Sequence, residues 1–352
     1  MKIAVAMSGG VDSSVTAALL KQQGHEVIGI TMRLFTPCLT GSGSAAHDAG
    51  VVAGHLGIDH HVVDFEPEFQ NLIINDFIRE YSCGQTPNPC IRCNRFIKFG
   101  LLLDKARDLG ADYLATGHYV RNQADPDGTC HLRMARNIRK DQSYFLFTLT
   151  QQRLSRVLFP LGDIESKDEV RRLAREFGLP VAEKSDSQEV CFIPGDDYVA
   201  FLEGSSELAG SQGEIVHLNG TIVGKHLGTH RYTIGQRKGL GIAWKEPLYV
   251  VGIDTALNRI VVAEQQHVFA GGLMAEDISW IQPPPEREFT STCKIRYRHQ
   301  PVGCAVQILE NGDCRVKFNE RQKAVTPGQS IVFYRDSEVL GGGRIHSAIE
   351  QL

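Results

Sequence analysis

Nowhere in the 352 residues does an apolar run approach the roughly 20 residues needed to cross a bilayer. Lys2 is followed by only five apolar residues, Ile3 to Met7, too few for a signal peptide, so a cytoplasmic protein without a membrane partner is expected. An excess of either charge is missing too. The 37 Lys and Arg against 41 Asp and Glu leave a formal charge of −4, which argues against indiscriminate polyanion binding and leaves local basic surfaces open. Nine cysteines is an odd number in a chain with no secretory signal, so no structural disulfide framework is expected; free, catalytic or metal-bound thiols are the options. Internal repeats and low-complexity tracts are absent. The glycine-rich stretch near the start lacks the lysine of the GxxxxGK[ST] nucleotide loop and does not have GxGxxG spacing.

What is present begins with that stretch. Ile3-Ala4-Val5-Ala6-Met7 is short and apolar enough for a strand buried on both faces. After it, Gly9 and Gly10 allow tight or positive-φ backbone, and Ser13-Ser14 opens a helix with Val15, Ala18 and Leu19 on one face. Successive backbone N–H groups leading into a helix N-terminus make an anion cradle in outline. A plain serine-rich strand-to-helix turn has the same composition.

The length allows two or three domains, and 42% hydrophobic with 22% charged residues is a soluble globular composition. The first half alternates strand and helix, which implies an α/β domain with a mainly parallel sheet. Strands are expected at Glu26–Met32, His61–Phe65 and Ala111–His118, and helices over 45–56 and around Phe69, Leu72, Ile73 and Phe77. Ligands of such a sheet sit at the carboxyl ends of its strands, near Ser8, Met32 and Gly117. Ser166-x-x-Glu169 is a capping box ahead of another helix. From Gly213 onward short alternating runs and the turns Asn219-Gly220 and Asn311-Gly312 indicate β structure. The Pro-rich run Trp280–Glu286 reads as a stiff linker. The division expected is an α/β catalytic domain over 1–200, a small mostly-β domain over 201–275 and a β-barrel-like domain over 276–352. Lys294–Lys323 carries seven Lys or Arg and three acidic residues, and Lys294, Arg296 and Arg298 would share one face of a strand. RNA binding and an ordinary solvated sheet face are both compatible with that pattern. Arg133, Arg136, Arg139 and Lys140 form a second basic run, by default a solvated face.

Two loops carry cysteine. In Cys83–Asn94 two prolines argue against helix and central strand, and Cys90 and Cys93 form a CxxC. Cys191 lies in Ser185–Pro194. Cysteine in such loops is rarely core filling. A thiolate here could be a nucleophile or redox partner, its pKa lowered by Arg92, Arg95 and Lys98. Three cysteines could also ligate an iron-sulfur cluster with one iron open, whereas a structural zinc lacks a fourth ligand.

These residues carry a resemblance. Ser8-Gly9-Gly10-Val11-Asp12-Ser13 resembles the loop of the PP-loop ATP pyrophosphatases. Thr86-Pro87-Asn88-Pro89 with Cys93-Asn94, Thr116-Gly117-His118-Tyr119, Lys140-Asp141-Gln142-Ser143-Tyr144, Cys191-Phe192-Ile193 and Tyr232–Leu240 resemble, in order, the tRNA-specific 2-thiouridylases of the MnmA type. The resemblance runs from residue 2 to Tyr334. It implies an enzyme that uses ATP and Mg²⁺ to adenylate the C2 oxygen of the wobble uridine of tRNA and then lets sulfur displace AMP. It places ATP at Ala6, Met7, Ser8, Gly9, Gly10, Val11, Asp12, Ser13, Met32 and Gly117. Cys93 matches the nucleophile, and Cys191 the cysteine that carries the persulfide and pairs with Cys93 as an alternate disulfide. Asn88, Pro89 and Cys90 fall where the target base is held, and His118, Lys140, Asp141, Gln142, Arg296, Tyr297 and Gln329 match tRNA contacts. A cysteine desulfurase, directly or through relay proteins, would supply the sulfur.

Two departures stand out. Many relatives have an acidic residue at Cys90; the cysteine here adds an iron-sulfur cluster on Cys90, Cys93 and Cys191 as a second sulfur carrier to consider. Around Cys38, Gly41-Ser42-Gly43-Ser44 replaces a stretch often richer in cysteine and acid, and no role follows for Cys38. An amidotransferase-like adenylating enzyme, which needs no paired cysteines, and a non-catalytic RNA-binding or redox protein are the alternatives.

Overall fold

The computed structural model describes residues 1–35, 45–185, 190–193, 195, 197–205, 211–284 and 286–350. Cys38, the loop around it and part of the 185–194 loop lie outside the described residues. The first strands are β1 (Lys2–Ala6), β2 (Glu26–Arg33), β3 (Asp59–Asp64) and β4 (Tyr113–Ala115), followed by a hairpin of β5 (Val120–Ala124) and β6 (Cys130–Met134), and then β7 (Val157–Leu158). β3-β2-β1-β4-β7 form one sheet in which every pairing is parallel. The apolar run at the start is therefore the central strand: Ile3, Ala4 and Val5 are inaccessible to solvent, and a buried Val or Ile contributes about 1.5–3 kcal/mol. Helix α1 (Val11–Gln22) connects β1 to β2, and α2 (Ala45–Leu56) connects β2 to β3.

The helical pattern around Phe69 is one continuous stretch, α-helical at Glu66–Phe69 and Asn75–Ser82 with a π-helical middle at Gln70–Ile74. Phe69, Ile73 and Phe77 on its inner face are buried. The expected strand 111–118 is ordered as β only over Tyr113–Ala115, since the chain turns to bring Gly117 against α1.

The middle domain is a sheet of β8 (Gly213–His217), β9 (Ile222–His226), β10 (Leu248–Asp254) and β11 (Arg259–Glu264), ordered β10-β11-β8-β9. Asn219-Gly220 makes the β8–β9 turn, with Gly220 at φ +92°. The last domain is a closed barrel of β12 (Phe269–Trp280), β13 (Glu288–Lys294), β14 (Val302–Ile308), β15 (Cys314–Lys323), β16 (Ser330–Arg335) and β17 (Glu338–Ile349). Its order is β12-β15-β14-β13-β16-β17, and β12 pairs with β17 to close the ring. Asn311-Gly312 turns β14 into β15.

Two expectations are corrected here. β12 belongs to the barrel from Phe269, so the boundary expected at 275/276 runs through a strand, and the Pro-rich run from Trp280 is the β12–β13 connection within the barrel. Lys294–Arg298 is not a strand: β13 ends at Lys294 and the chain turns over the next residues. The turn separates two cations that have different partners. Lys294 is buried with its ammonium 3.8 Å from Asp141, and Arg296 donates from Nη2 to Ile234 O, Ala324 O and Thr326 Oγ1.

The barrel is stitched to the first domain. Thr86 N donates to Pro327 O at 2.9 Å, and Gln329 Nε2 to Thr86 O at 2.9 Å. Arg344 Nη1 reaches Gln85 Oε1 at 2.8 Å and Glu80 Oε2 at 3.2 Å. The Thr86–Asn88 segment that precedes the CxxC is thereby clamped between helix end and barrel.

Candidate active site

The loop from Ser8 begins where β1 ends. Met7 N still bonds Ile30 O, and Thr31 Oγ1 donates to Met7 O at 2.8 Å, which sets Met7 and Met32 at neighbouring strand ends. Gly9 has φ +70°, and a Cβ there would stand 2.7 Å from Ala45 O, so glycine is required on both counts. Inside the loop Ser13 Oγ accepts from Ser8 N at 3.2 Å and donates to Gly10 O at 3.1 Å, while Ser14 Oγ donates to Gly10 O at 2.9 Å. Gly10 is the N-cap of α1, and no side chain caps that end. The first N–H groups of α1 are therefore directed at a concave, glycine-lined turn, the arrangement that binds phosphate.

Gly117 closes the other side. Its Cα approaches the Asp12–Ser13 peptide so closely that a Cβ would lie 2.9 Å from Asp12 C and Ser13 N. Two residues on, Tyr119 OH donates to Asp12 Oδ1 at 2.6 Å. Two lysines that sequence reasoning did not single out also reach the loop: Lys167 Nζ lies 2.6 Å from Asp12 Oδ1, and Lys184 Nζ lies 3.0 Å from Gly9 O and 2.5 Å from Asp48 Oδ2. Lys167 opens the helix Lys167–Glu176 expected from the capping box, where Ser166 Oγ accepts from Glu169 N at 3.1 Å. That box was the available signal for Lys167; Lys184 has none.

The cysteines differ from expectation in two respects. The CxxC is helical, because Pro89 stands at the first helical position, where a missing N–H costs nothing, and Asn88 caps it through Oδ1 to Ile91 N at 3.4 Å. Helix Pro89–Arg92 runs into the π-helical Cys93–Leu101, which sets Cys90 and Cys93 three residues apart on one face. The thiols are also not acidified. Burial pushes Cys93 up to about 12, and Lys98 offsets this only in part. Cys90 and Cys191 touch solvent, yet the protein packed around them raises both, again against Lys98. Arg92 does not help, being 2.7 Å from Asp76 Oδ2. Cys90 and Cys191 each raise Cys93, and Cys90 raises Cys191, so the three sulfurs sit in one another's field, as free thiols. Lys98 also acts on His118, whose buried imidazole is held well below its usual pKa, first by burial and then by Lys98. His118 Nδ1 is 2.7 Å from Thr116 Oγ1.

Of the residues expected at tRNA, several face inward. Asp141 is buried, taking N–H from Ala135 at 2.9 Å and hydroxyl from Ser143 at 2.8 Å. Gln142 accepts from Tyr119 N, Arg296 joins the middle domain to the barrel, and Gln329 holds Thr86. Pro89 is buried and Asn88 half-buried. Tyr297 is half-buried with its ring 4.4 Å from that of Phe145. Lys140 is half-buried beside the exposed Arg139.

A parallel sheet with an uncapped serine-glycine loop at the end of its central strand defines a PP-loop protein of the ATP-using kind. Family profiles match in three blocks: the tRNA methyl transferase HUP domain at residues 1–195, the tRNA methyl transferase PRC-barrel domain at 200–264 and the aminomethyltransferase beta-barrel domain at 270–345. The tRNA-specific 2-thiouridylase MnmA of Pelobacter propionicus is 69% identical over 351 residues, covering 100% of this chain and 99% of the relative. Those of Trichlorobacter lovleyi and Geobacter metallireducens are 65% and 53% identical, each over 99% of this chain and 98% of the relative. The chain belongs to the tRNA-specific 2-thiouridylases of the MnmA type, enzymes that transfer sulfur to tRNA. Among the described residues no helix is long and apolar enough to cross a membrane.

Proposed function

We propose that this enzyme adenylates the C2 oxygen of the wobble uridine and replaces that oxygen with sulfur carried on Cys191. One observation carries the reading. The segment 116–118 touches both halves of the chemistry, Gly117 lying on the Asp12–Ser13 peptide of the loop and the His118 ring 5.7 Å from that of Phe99, on the helix that begins at Cys93. An ATP held from Ala6 to Ser13, between Met32 and Gly117, would lie beside the segment that leads to the cysteines.

In the first step the C2 oxygen bonds the α-phosphorus, the α–β bridge breaks with its electron pair leaving on pyrophosphate, and the uridine N3 proton is lost. Helix N–H groups aimed at the phosphates stabilise that departure. Mg²⁺ supplied with ATP would be held by Asp12 and Asp48, since Mg²⁺ takes one or two carboxylates together with phosphate oxygens; it neutralises phosphate charge. In the second step the outer sulfur of a Cys191 persulfide attacks C2 and AMP leaves. Cys93 thiolate then attacks the inner sulfur, releasing 2-thiouridine and forming the Cys93–Cys191 disulfide. A dithiol reductant restores both thiols, and a cysteine desulfurase reloads Cys191. Because Cys93 rests as a thiol, its proton must leave during this step.

For tRNA, Asn88, Pro89 and Cys90 hold the base, Lys140 and Tyr297 present contacts, and His118, Asp141, Gln142, Arg296 and Gln329 brace that surface from below. The second reading, an iron-sulfur cluster on Cys90, Cys93 and Cys191, draws on the mutual field of the three thiols. Among the described residues no three His, Cys, Asp or Glu side chains converge on a single metal ion, and no step is assigned to a cluster. Anaerobic purification with iron and sulfide analysis separates the two. Mass spectrometry of tRNA after incubation with ATP, Mg²⁺ and a persulfide donor tests the whole: 2-thiouridine is expected from colourless protein. Cys191→Ser should keep tRNA-dependent pyrophosphate release and lose thiolation. Absence of that release in wild-type protein overturns the adenylation.

A further inference from the structure

Pyrophosphate leaves with several negative charges, and the loop that would receive it has no cation: between Ser8 and Ser14 the only charged residue is Asp12. Backbone N–H dipoles alone carry about half a unit charge at a helix end. The fold delivers the missing cations from the far end of the domain. Lys167 and Lys184 flank the loop, Lys167 on Asp12 Oδ1 at 2.6 Å and Lys184 on Gly9 O at 3.0 Å and Asp48 Oδ2 at 2.5 Å. Neither pair has the character of a folding element. Each pair has one partner partly open to water, Asp12 at 33% against Lys167 at 14% and Lys184 at 39% against Asp48 at 20%, and ion pairs that reach solvent contribute about 0–1 kcal/mol.

Their geometry has a different consequence. Each ammonium rests on a carboxylate that borders the cradle, and Lys184 also holds the carbonyl of the residue whose positive φ shapes the loop. We propose that Lys167 and Lys184 are pyrophosphate-binding residues, which exchange Asp12 and Asp48 for β- and γ-phosphate oxygens as ATP enters and hold those oxygens as the α–β bridge breaks. The proposal rests on the adenylation reading. The two carboxylates hold both ammonium groups at the rim of the cradle, so little reorganisation is needed when charge develops on the leaving group. Release of the Asp12 and Asp48 carboxylates in the same exchange leaves them available to the divalent cation that accompanies ATP.

The test uses the full chain with Lys167→Ala and Lys184→Ala, each beside its Arg counterpart, and compares binding of ATP, AMP and inorganic pyrophosphate. ATP and pyrophosphate affinity should fall about tenfold or more for each Ala variant, roughly 1.4 kcal/mol, with AMP affinity held within about twofold. tRNA-dependent pyrophosphate release should fall about 100-fold, the loss typical of removing one donor to a developing anion, and Arg should recover part of it. Equal loss of ATP and AMP overturns the proposal, since it would mean that the lysines only shape the loop; so does unchanged pyrophosphate binding. Should an Ala variant fail to fold, Lys184→Gln, which keeps a donor to Gly9 O without the charge, gives the same ATP-against-AMP comparison. Wild-type protein that releases no pyrophosphate with tRNA defeats the adenylation reading instead, a result that the lysine variants do not produce.

Discussion

Gln329 Nε2 donates to Thr86 O at 2.9 Å, which hangs the approach to the CxxC helix from the barrel more than two hundred residues away in sequence. The amide is thus spent on the protein. Gln329→Glu, which cannot donate, should loosen this loop by about 1 kcal/mol, the net worth of one hydrogen bond. The expected result is a fall of about fivefold in the maximal rate of tRNA thiolation with ATP affinity unchanged. A rise in the tRNA KM alone would mean that Gln329 contacts the RNA directly.

Arg296 is likewise braced within the protein, its Nη2 meeting Ile234 O at 3.2 Å and Ala324 O at 3.3 Å. Arg296→Ala leaves these carbonyls and Thr326 without a charged donor. Hydrogen bonds to charged groups contribute about 1.5–3 kcal/mol, so the melting temperature should drop by several degrees in the absence of tRNA. Calorimetry that finds no change assigns Arg296 to the RNA.

How far the sequence discloses this site depends on how local each feature is. Ser8–Ser14 is legible because its glycines, serines and flanking apolar strand are consecutive. The CxxC was legible as chemistry but its helix was not: Pro87 and Pro89 suggest a loop, and only the Asn88 cap shows that Pro89 is a first helical residue. Lys167 and Lys184 reach Asp12 and Gly9 across 155 and 175 positions, with no spacing rule to connect them. Lys294 and Arg296 alternate as strand residues do, but the strand ends at Lys294 and the two cations take different tertiary partners.

His131 provides a pH-dependent tie between the catalytic domain and the barrel. Its Nδ1 is 2.6 Å from Glu338 Oε1 on β17 and its Nε2 is 3.0 Å from Asp125 Oδ2. Glu338 first, and then Asp125, raise its pKa. A raised folded-state pKa gives stability that is full below about 6.5 and is lost as pH climbs through the folded value. The melting-temperature gap between wild type and His131→Gln should accordingly be largest near pH 5.5 and shrink by pH 8.5. A gap that grows with pH contradicts the assignment.

Cys93 should be the slowest of the site thiols to alkylate. With its pKa pushed up to about 12 and its side chain buried, little thiolate exists at pH 7. Iodoacetamide followed by peptide mass spectrometry should find Cys90 and Cys191, which touch solvent, labelled first. Labelling of Cys93 should rise about tenfold per pH unit from 7 to 9, as the thiolate fraction does.

Gly117 links the loop to the cysteine side, and its substitution tests that link without touching any charged group. Gly117→Ala places a Cβ 2.9 Å from Asp12 C and Ser13 N, both backbone atoms that cannot swing aside as a side-chain tip would. The strain is relieved by moving either the first turn of α1 or the 116–118 segment. Either movement misdirects the N–H groups at the cradle, so ATP affinity should fall about tenfold or more while far-UV circular dichroism stays native. Gly54→Ala is the control: it lies on α2 outside the loop, and a Cβ there would meet nothing within 4 Å. ATP binding should survive in that variant and be lost in Gly117→Ala. Equal tolerance of both would mean that Gly117 does not border the nucleotide.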